Sequence, residues 1–302
     1  MSILGKRLVV ILGPTAIGKT ALAIELAQEF RTEIISADSR QFFKEISIGV
    51  ARPSNEELEA VKHYFINFIS IEDEYSAGRY EADANNLLKK LFEKHDTVVC
   101  CGGSMLYVDA LVNGLDDLPG DKLIRLSLQN ELAEQGLMHL QNRLKELDPV
   151  YYTQVDLHNP HRVMRAIEVC LATGNRYSDL RKRTFQERSF DVIKIGLTAE
   201  RAWLYARINQ RVDIMMKNGL LEEVIGVYTK RHLNALNTVG YKELFDYLDG
   251  NSTLEESIEK IKQHTRNFAK RQLTWWRRDD SIKWIEVDKC DNLKEHALSI
   301  LT

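Results

Sequence analysis

The chain has 302 residues, 44% of them hydrophobic and 28% charged, which is enough apolar side chain for one large core or two smaller ones. A formal charge of -3 gives no global sign of a nucleic-acid binder, so any such surface must come from local segregation of charge. The four cysteines, Cys100, Cys101, Cys170 and Cys290, show neither a C-x-x-C pair nor His at ligand spacing, which argues against a zinc site or a disulfide framework and for buried thiols in a reducing cytosol.

Leu8-Val9-Val10-Ile11-Leu12 is a β-prone run that meets glycine, and Thr20 to Phe30 follows with Ala, Leu, Ile and Glu at helical spacing. The run is far short of the ~20 apolar residues of a membrane span, and no other run approaches that length, so a cytoplasmic protein without a membrane partner is expected. Glu33 to Ser36 and Thr97 to Cys101 are further short strands, with a helix over roughly Ser76 to Lys94 leading into the second. This alternation predicts an α/β fold, a parallel sheet flanked by helices. From Leu115 to Gly120 the chain is turn-rich, from Lys122 to about Ser189 it is helical without a strand, and Val192 to Leu197 reads as a strand again. The economical reading is a core formed by 1–116 and 190–302 with a helical insertion over 117–189; an uninterrupted α/β domain with long crossovers is the alternative.

Gly13-Pro14-Thr15-Ala16-Ile17-Gly18-Lys19-Thr20 satisfies G-x-x-x-x-G-K-[ST] between a strand and a helix, the setting of a phosphate loop in P-loop NTPase-like folds. Gly13 and Gly18 let successive N–H groups turn inward, and the helix beginning near Lys19 adds its positive end to that nest. Lys19 supplies a mobile charge for a terminal phosphate, and the Thr20 hydroxyl can ligate Mg²⁺. A nucleotide hydrolase usually adds a second strand ending in Asp, whereas Thr97-Val98-Val99-Cys100-Cys101 runs into Gly102-Gly103-Ser104. A diphosphate held as a leaving group therefore fits as readily as ATP. Asp38, in Ile34-Ile35-Ser36-Ala37-Asp38-Ser39-Arg40-Gln41, falls just past the second strand, at the sheet edge that also carries the loop. It can face whatever reacts beside Lys19, or it can simply cap a turn.

GPTAIGKT, ISADSRQ, CGGSMLYVDAL, NPHRVMRAIEV, RINQRVDIMMKNGLLEEV, TVGYKEL and RNFAKRQLTWWRR, in this order, resemble the bacterial tRNA dimethylallyltransferase (tRNA isopentenyltransferase) family over most of the chain. The resemblance implies transfer of a dimethylallyl group from dimethylallyl diphosphate to the exocyclic amine of the adenosine immediately 3′ of the anticodon, with Mg²⁺ and without ATP. It implies that Gly13 to Thr20 hold the diphosphate, that Asp38 is the general base, and that Arg211 stabilises the departing charge. Ser104, where the family more often has Thr, would assist the diphosphate. Ser39, Arg40 and Gln41 would touch the flipped base, and Arg125, Asn159, Pro160, His161, Arg162, Val163, Val239, Gly240 and Tyr241 would meet tRNA. The chain departs from the family pattern at Phe42 and Phe43, where Tyr is usual, in Ser47 to Pro53, where DIGTAKP is typical, at Asn67, where an acid is expected, and at His161, which replaces Gln.

Charge is segregated locally. His158 to Arg188 holds seven Lys/Arg (Arg162, Arg165, Arg176, Arg181, Lys182, Arg183, Arg188) against three acids, and Glu259 to Lys283 holds eight against three. On a helix, Lys262, Arg266, Lys270 and Arg277 form one stripe beside the apolar face of Ile258, Ile261, Phe268, Ala269 and Trp276. Such stripes either contact phosphates or are solvated helix faces. Trp275 and Trp276 read as core anchors. A monomer is expected. A small-molecule or nucleoside kinase shares the loop and the edge Asp but would demand ATP, and an RNA-binding module with a degenerate nucleotide site would not need Lys19 and Thr20.

Overall fold

The structure, a computed structural model, describes residues 5–116, 118–182 and 187–301. β1 (Arg7–Leu12) leads through the glycine loop into α1 (Lys19–Glu29) and β2 (Ile34–Ser36). α2 (Asn55–Ala60) precedes the two-residue β3 (His63–Tyr64), α3 (Ala77–Phe92) precedes β4 (Thr97–Cys101), and α4 (Met105–Asn113) follows. α5 (Lys122–Leu147), α6 (Pro149–Tyr152), α7 (Pro160–Thr173) and α8 (Tyr177–Leu180) come next. The chain then returns through β5 (Asp191–Thr198), α9 (Arg201–Lys217), α10 (Leu220–Val227), α11 (Tyr241–Leu248), α12 (Leu254–Trp276), β6 (Lys283–Glu286) and α13 (Leu293–Leu301).

The six strands form one parallel sheet in the order β3-β2-β4-β1-β5-β6. β1 is central because both its faces are apolar: Leu8, Val10 and Leu12 enter one core cluster with Tyr80, Leu88 and Trp276, while Val9 and Ile11 enter the other with Leu22, Leu26 and Ile208. A third cluster, around Ile46, Leu220, Leu236, Tyr241 and Leu244, packs α9 to α12 against the loop after β2. Trp276 is buried as expected, and Trp275 is half-buried with its Nε1 donating to Asp109 Oδ2 at 3.2 Å.

The chain divides into two compact units, Met1–Asn113 with Glu187–Thr302, and Gly114–Gln186, each limit three residues before the expected one. The second unit contains no strand among the described residues, and its core is Leu128, Leu140, Leu144, Tyr151, Val163, Met164, Ala166 and Ile167. α5 breaks at Gly136 (φ 78°), α7 starts on an Asn159 cap with Pro160 at its first turn, and it ends at Gly174 (φ 70°). The expectation of four buried thiols is corrected: Cys100 and Cys170 are buried, but Cys101, the last residue of β4, and Cys290, in the turn after β6, are partly exposed. Among the described residues no helix is long and apolar enough to cross a membrane.

Candidate active site

The phosphate loop is built by backbone conformation. Gly18 sits at φ 109° as the N-cap of α1 and supplies no side-chain cap, so the first-turn N–H groups of α1 remain available to an anion. Lys19 Nζ folds back to donate to Pro14 O at 2.8 Å. Burial pulls the Lys19 ammonium down to about 8, with the Arg211 guanidinium pushing the same way and Cys101 and Asp38 opposing. Arg211 reaches the loop from α9, its Nη1 donating to Thr15 Oγ1 at 3.3 Å. One turn earlier Arg207, which sequence reading missed, donates Nε to Ala16 O at 3.0 Å while lying on the Trp203 ring.

Asp38 follows β2, closes a turn and lies near Lys19. Its Oδ1 accepts the Arg40 N–H at 3.1 Å and so closes a turn. Its Oδ2 stands beside Gly103: a Cβ placed on Gly103 would lie 3.8 Å from Asp38 Oδ2 and 3.8 Å from Lys19 Nζ. The carboxylate and the ammonium thus meet over one glycine of the turn after β4. Burial pushes the Asp38 carboxyl up, against the opposing Arg40 hydrogen bond and the Lys19 charge. Ser104 Oγ accepts the Ser39 N–H at 2.9 Å and lies 3.0 Å from Ser39 Oγ, which ties the turn after β2 to the turn after β4.

Gln272 of α12, also missed in sequence, is 1% exposed and joins two loops. Its Oε1 accepts Thr15 N–H at 2.9 Å and its Nε2 donates to Gly103 O at 2.8 Å. The only available signal was a polar residue on the apolar stripe of an amphipathic helix, four residues before Trp276.

Other expected site residues have structural partners. Arg40 donates Nη1 to Asn234 O at 2.8 Å and Ala235 O at 3.0 Å, and Gln41 donates Nε2 to Ala51 O at 2.9 Å, so both brace backbone. The reading of Tyr241 as a tRNA contact is corrected for its side chain: the ring is fully buried over Gly49 and the hydroxyl donates to Glu223 Oε1 at 2.5 Å. Glu223 also accepts the N–H groups of Ser47, Ile48 and Gly49 at 2.7, 2.8 and 2.9 Å. Gly240 is buried beside Tyr241 and Val239 is half-buried. Two departures from the family pattern meet, Asn67 Nδ2 donating to Ser47 Oγ at 3.0 Å. Phe42, another departure from the pattern, is surrounded by the rings of Phe68, Tyr75, Tyr80 and Tyr107 at 5.3 to 5.7 Å.

In the second unit Val163 is likewise corrected to a core residue, 0% exposed, whereas His161 and Arg162 are exposed on the first turn of α7. Arg125 Nη2 pairs with the buried Glu168 at 2.6 Å, and Arg165 pairs with the same carboxylate. The basic runs are partly consumed by the fold. Arg188 Nη2 pairs with Glu81 at 2.9 Å, Lys262 with Asp213 and Glu259 at 2.9 Å, and Arg266 Nη1 donates to Asn209 at 2.6 Å. Arg162, Arg176, Lys182, Lys270, Arg271 and Arg277 remain exposed, and Arg183 lies outside the described residues.

Among the described residues no group of three His, Cys, Asp or Glu forms a metal cage. The donor set suits a Mg²⁺ held through one or two protein oxygens and the phosphates themselves, with the half-buried Thr20 hydroxyl on the first turn of α1 as the protein ligand.

A central parallel strand, a G-x-x-x-x-G-K-T loop and the helix that follows it define a P-loop-type α/β protein in which the neighbouring strand is followed by glycines instead of an acid. The chain belongs to the IPP transferase family, whose model matches residues 41–279. It is 54% identical over 283 residues to "tRNA dimethylallyltransferase" of Christiangramia forsetii, covering 93% of this chain and 94% of that protein. Among solved structures it resembles the full-length tRNA isopentenylpyrophosphate transferase of Bacillus halodurans, with a TM-score of 0.70 and 34% identity over 98% of this chain and 94% of that one. It also resembles a eukaryotic dimethylallyltransferase acting on tRNA, with a TM-score of 0.81 and 26% identity over 97% of this chain and 78% of that one.

Proposed function

We propose that this protein transfers a dimethylallyl group from dimethylallyl diphosphate to the exocyclic N6 amine of the adenosine immediately 3′ of the anticodon in tRNA. The observation that carries the reading is the meeting of Lys19 and Asp38 beside Gly103, next to a strand that ends without an acid. A kinase would share the loop and the edge carboxylate, but it would also need an acid to hold its metal, which β4 does not supply. Allylic transfer needs a charged cradle for the diphosphate and a base for the amine, and no such acid.

In this reading the loop amides from Ala16 to Thr20, with Lys19 and Arg211, hold the diphosphate and balance its charge as the allylic C–O bond breaks and the electron pair leaves with oxygen. Thr20 would hold Mg²⁺, which supplies further positive charge to the diphosphate. The adenine amine forms the new C–N bond, and Asp38 Oδ2 accepts the proton it loses. The raised affinity of the buried Asp38 carboxylate for a proton suits that task. Ser39 and Ser104 keep Asp38 in register with the loop after β4. The target base must leave its stack, at a cost of about a few kcal/mol, and exposed cations such as Arg162, Arg176, Lys182 and Lys270 position the RNA through its phosphates.

The test is turnover with unmodified tRNA, dimethylallyl diphosphate and Mg²⁺ in the absence of nucleotide, followed by nucleoside analysis of the digested RNA. Prenylated adenosine is expected. Strict dependence on ATP moves the protein to the kinases.

A further inference from the structure

Gln272 has no part in the chemistry above, yet it is a fully buried amide whose two polar atoms both end at the reaction site. It lies 257 residues from Thr15 and 169 from Gly103 in sequence, and it contacts the backbone of each. A Cβ on Gly103 would stand 2.7 Å from Gln272 Nε2 and 3.8 Å from both Asp38 Oδ2 and Lys19 Nζ. The amide is therefore packed against Gly103, beside both groups. Because it accepts from Thr15 N–H, that group is withdrawn from any anion, and the donors left to a diphosphate begin at Ala16.

We infer that Gln272 is a positioning residue that fixes the spacing between the phosphate loop and the turn at Gly103, and through it the distance between the diphosphate and the Asp38 carboxylate. The inference rests on the transfer reading for its kinetic consequence but not for its binding consequence. Thr15 and Gly103 make no backbone hydrogen bond to one another, and the bonds that hold the turn after β4, from Gly102 N–H to Ile11 O and from Ser104 N–H to Ala37 O, do not reach Thr15, so the amide is the direct link between the two loops. A displacement of ~1 Å at a reacting centre costs about a hundredfold in rate. Only an amide, or a protonated carboxyl of the same shape, can accept at one end and donate at the other.

The experiment compares Gln272→Met and Gln272→Glu with the parent protein. The Met variant keeps length and loses both hydrogen bonds. It is expected to weaken binding of inorganic diphosphate and to lower kcat/KM for dimethylallyl diphosphate about a hundredfold, with tRNA affinity unchanged. The Glu variant can still accept from Thr15 but donates to Gly103 O only when protonated. Its deficit is expected to shrink as pH falls, which a merely structural role would not produce. Parental kinetics and parental diphosphate affinity in a folded Met variant overturn the inference, as does a Glu deficit that ignores pH. Where the Met variant does not fold, the pH response of the Glu variant decides. Failure of the parent protein to prenylate tRNA would refute the transfer reading, whereas the diphosphate affinities would still judge Gln272.

Discussion

Lys19 should give diphosphate binding an alkaline limit near pH 8. Its ammonium is drawn down to about 8 chiefly by burial and secondarily by Arg211. The charged form therefore makes up about nine-tenths of the free protein at pH 7 and about one-tenth at pH 9, and a ligand that selects that form loses about tenfold in affinity across the interval. The sign follows from the direction of the shift: a lysine with a lowered value is charged below it and neutral above it, so binding weakens as pH rises. The ligand adds no slope there, because the last ionisation of a terminal phosphate lies near pH ~6. Titration calorimetry of dimethylallyl diphosphate with Mg²⁺ and without RNA, from pH 6.5 to pH 9.5 in buffers of matched ionic strength, measures the effect. Lys19→Arg stays charged throughout and should flatten the profile. A flat profile in the parent protein, or an equal pH dependence in the Arg variant, would refute the assignment of the limit to Lys19.

Asp38→Asn preserves the turn, since Asn caps about as well as Asp, but cannot accept the proton; single-turnover transfer should fall ~10²–10⁴-fold while the melting temperature holds. The raised Asp38 carboxyl should also place the acid limb of the pH–rate profile above the usual carboxylate range, activity falling as pH drops through it. Replacing Arg176 and Lys182 by Ala should weaken tRNA binding and reduce its logarithmic salt slope by up to ~1 for each phosphate no longer neutralised, with diphosphate binding unaltered; an unchanged slope makes them solvated surface. Tyr241→Phe removes a hydrogen bond to the Glu223 carboxylate and should destabilise the fold by about 1.5–3 kcal/mol in chemical denaturation. Loss of tRNA affinity without loss of stability would restore Tyr241 to the RNA interface.

Local features of this site were legible in the sequence, and long-range ones were not. The phosphate loop declares itself because glycine spacing, the strand before it and the helix after it are contiguous, and Asp38 follows because strand ends in a parallel sheet share an edge. β3 and β6 escaped notice, the first at two residues and the second, Lys283–Glu286, because only its two central residues are apolar, which is too short a run to read as a strand. Gln272 and Glu223 could not be assigned because their roles lie entirely in backbone groups far away in the chain. The basic stripe on α12 shows the limit of charge counting. Lys262 and Arg266 are cations in sequence, but α9 supplies Asp213 and Asn209 to meet them, and nothing in either helix alone reveals the pairing. Tyr241 and Val163 were placed at the RNA surface by motif, and packing put their side chains in the core.

The central claim is that the diphosphate leaves and the allyl group is transferred. It is tested most directly with dimethylallyl diphosphate labelled at both ends, one label in the allyl chain and a second in the terminal phosphate, incubated with unmodified tRNA and Mg²⁺. The allyl label should appear in the adenosine immediately 3′ of the anticodon, and the phosphate label should be released quantitatively as diphosphate. Phosphate label attached to an acceptor, or diphosphate released with no allyl label in RNA, would contradict the account.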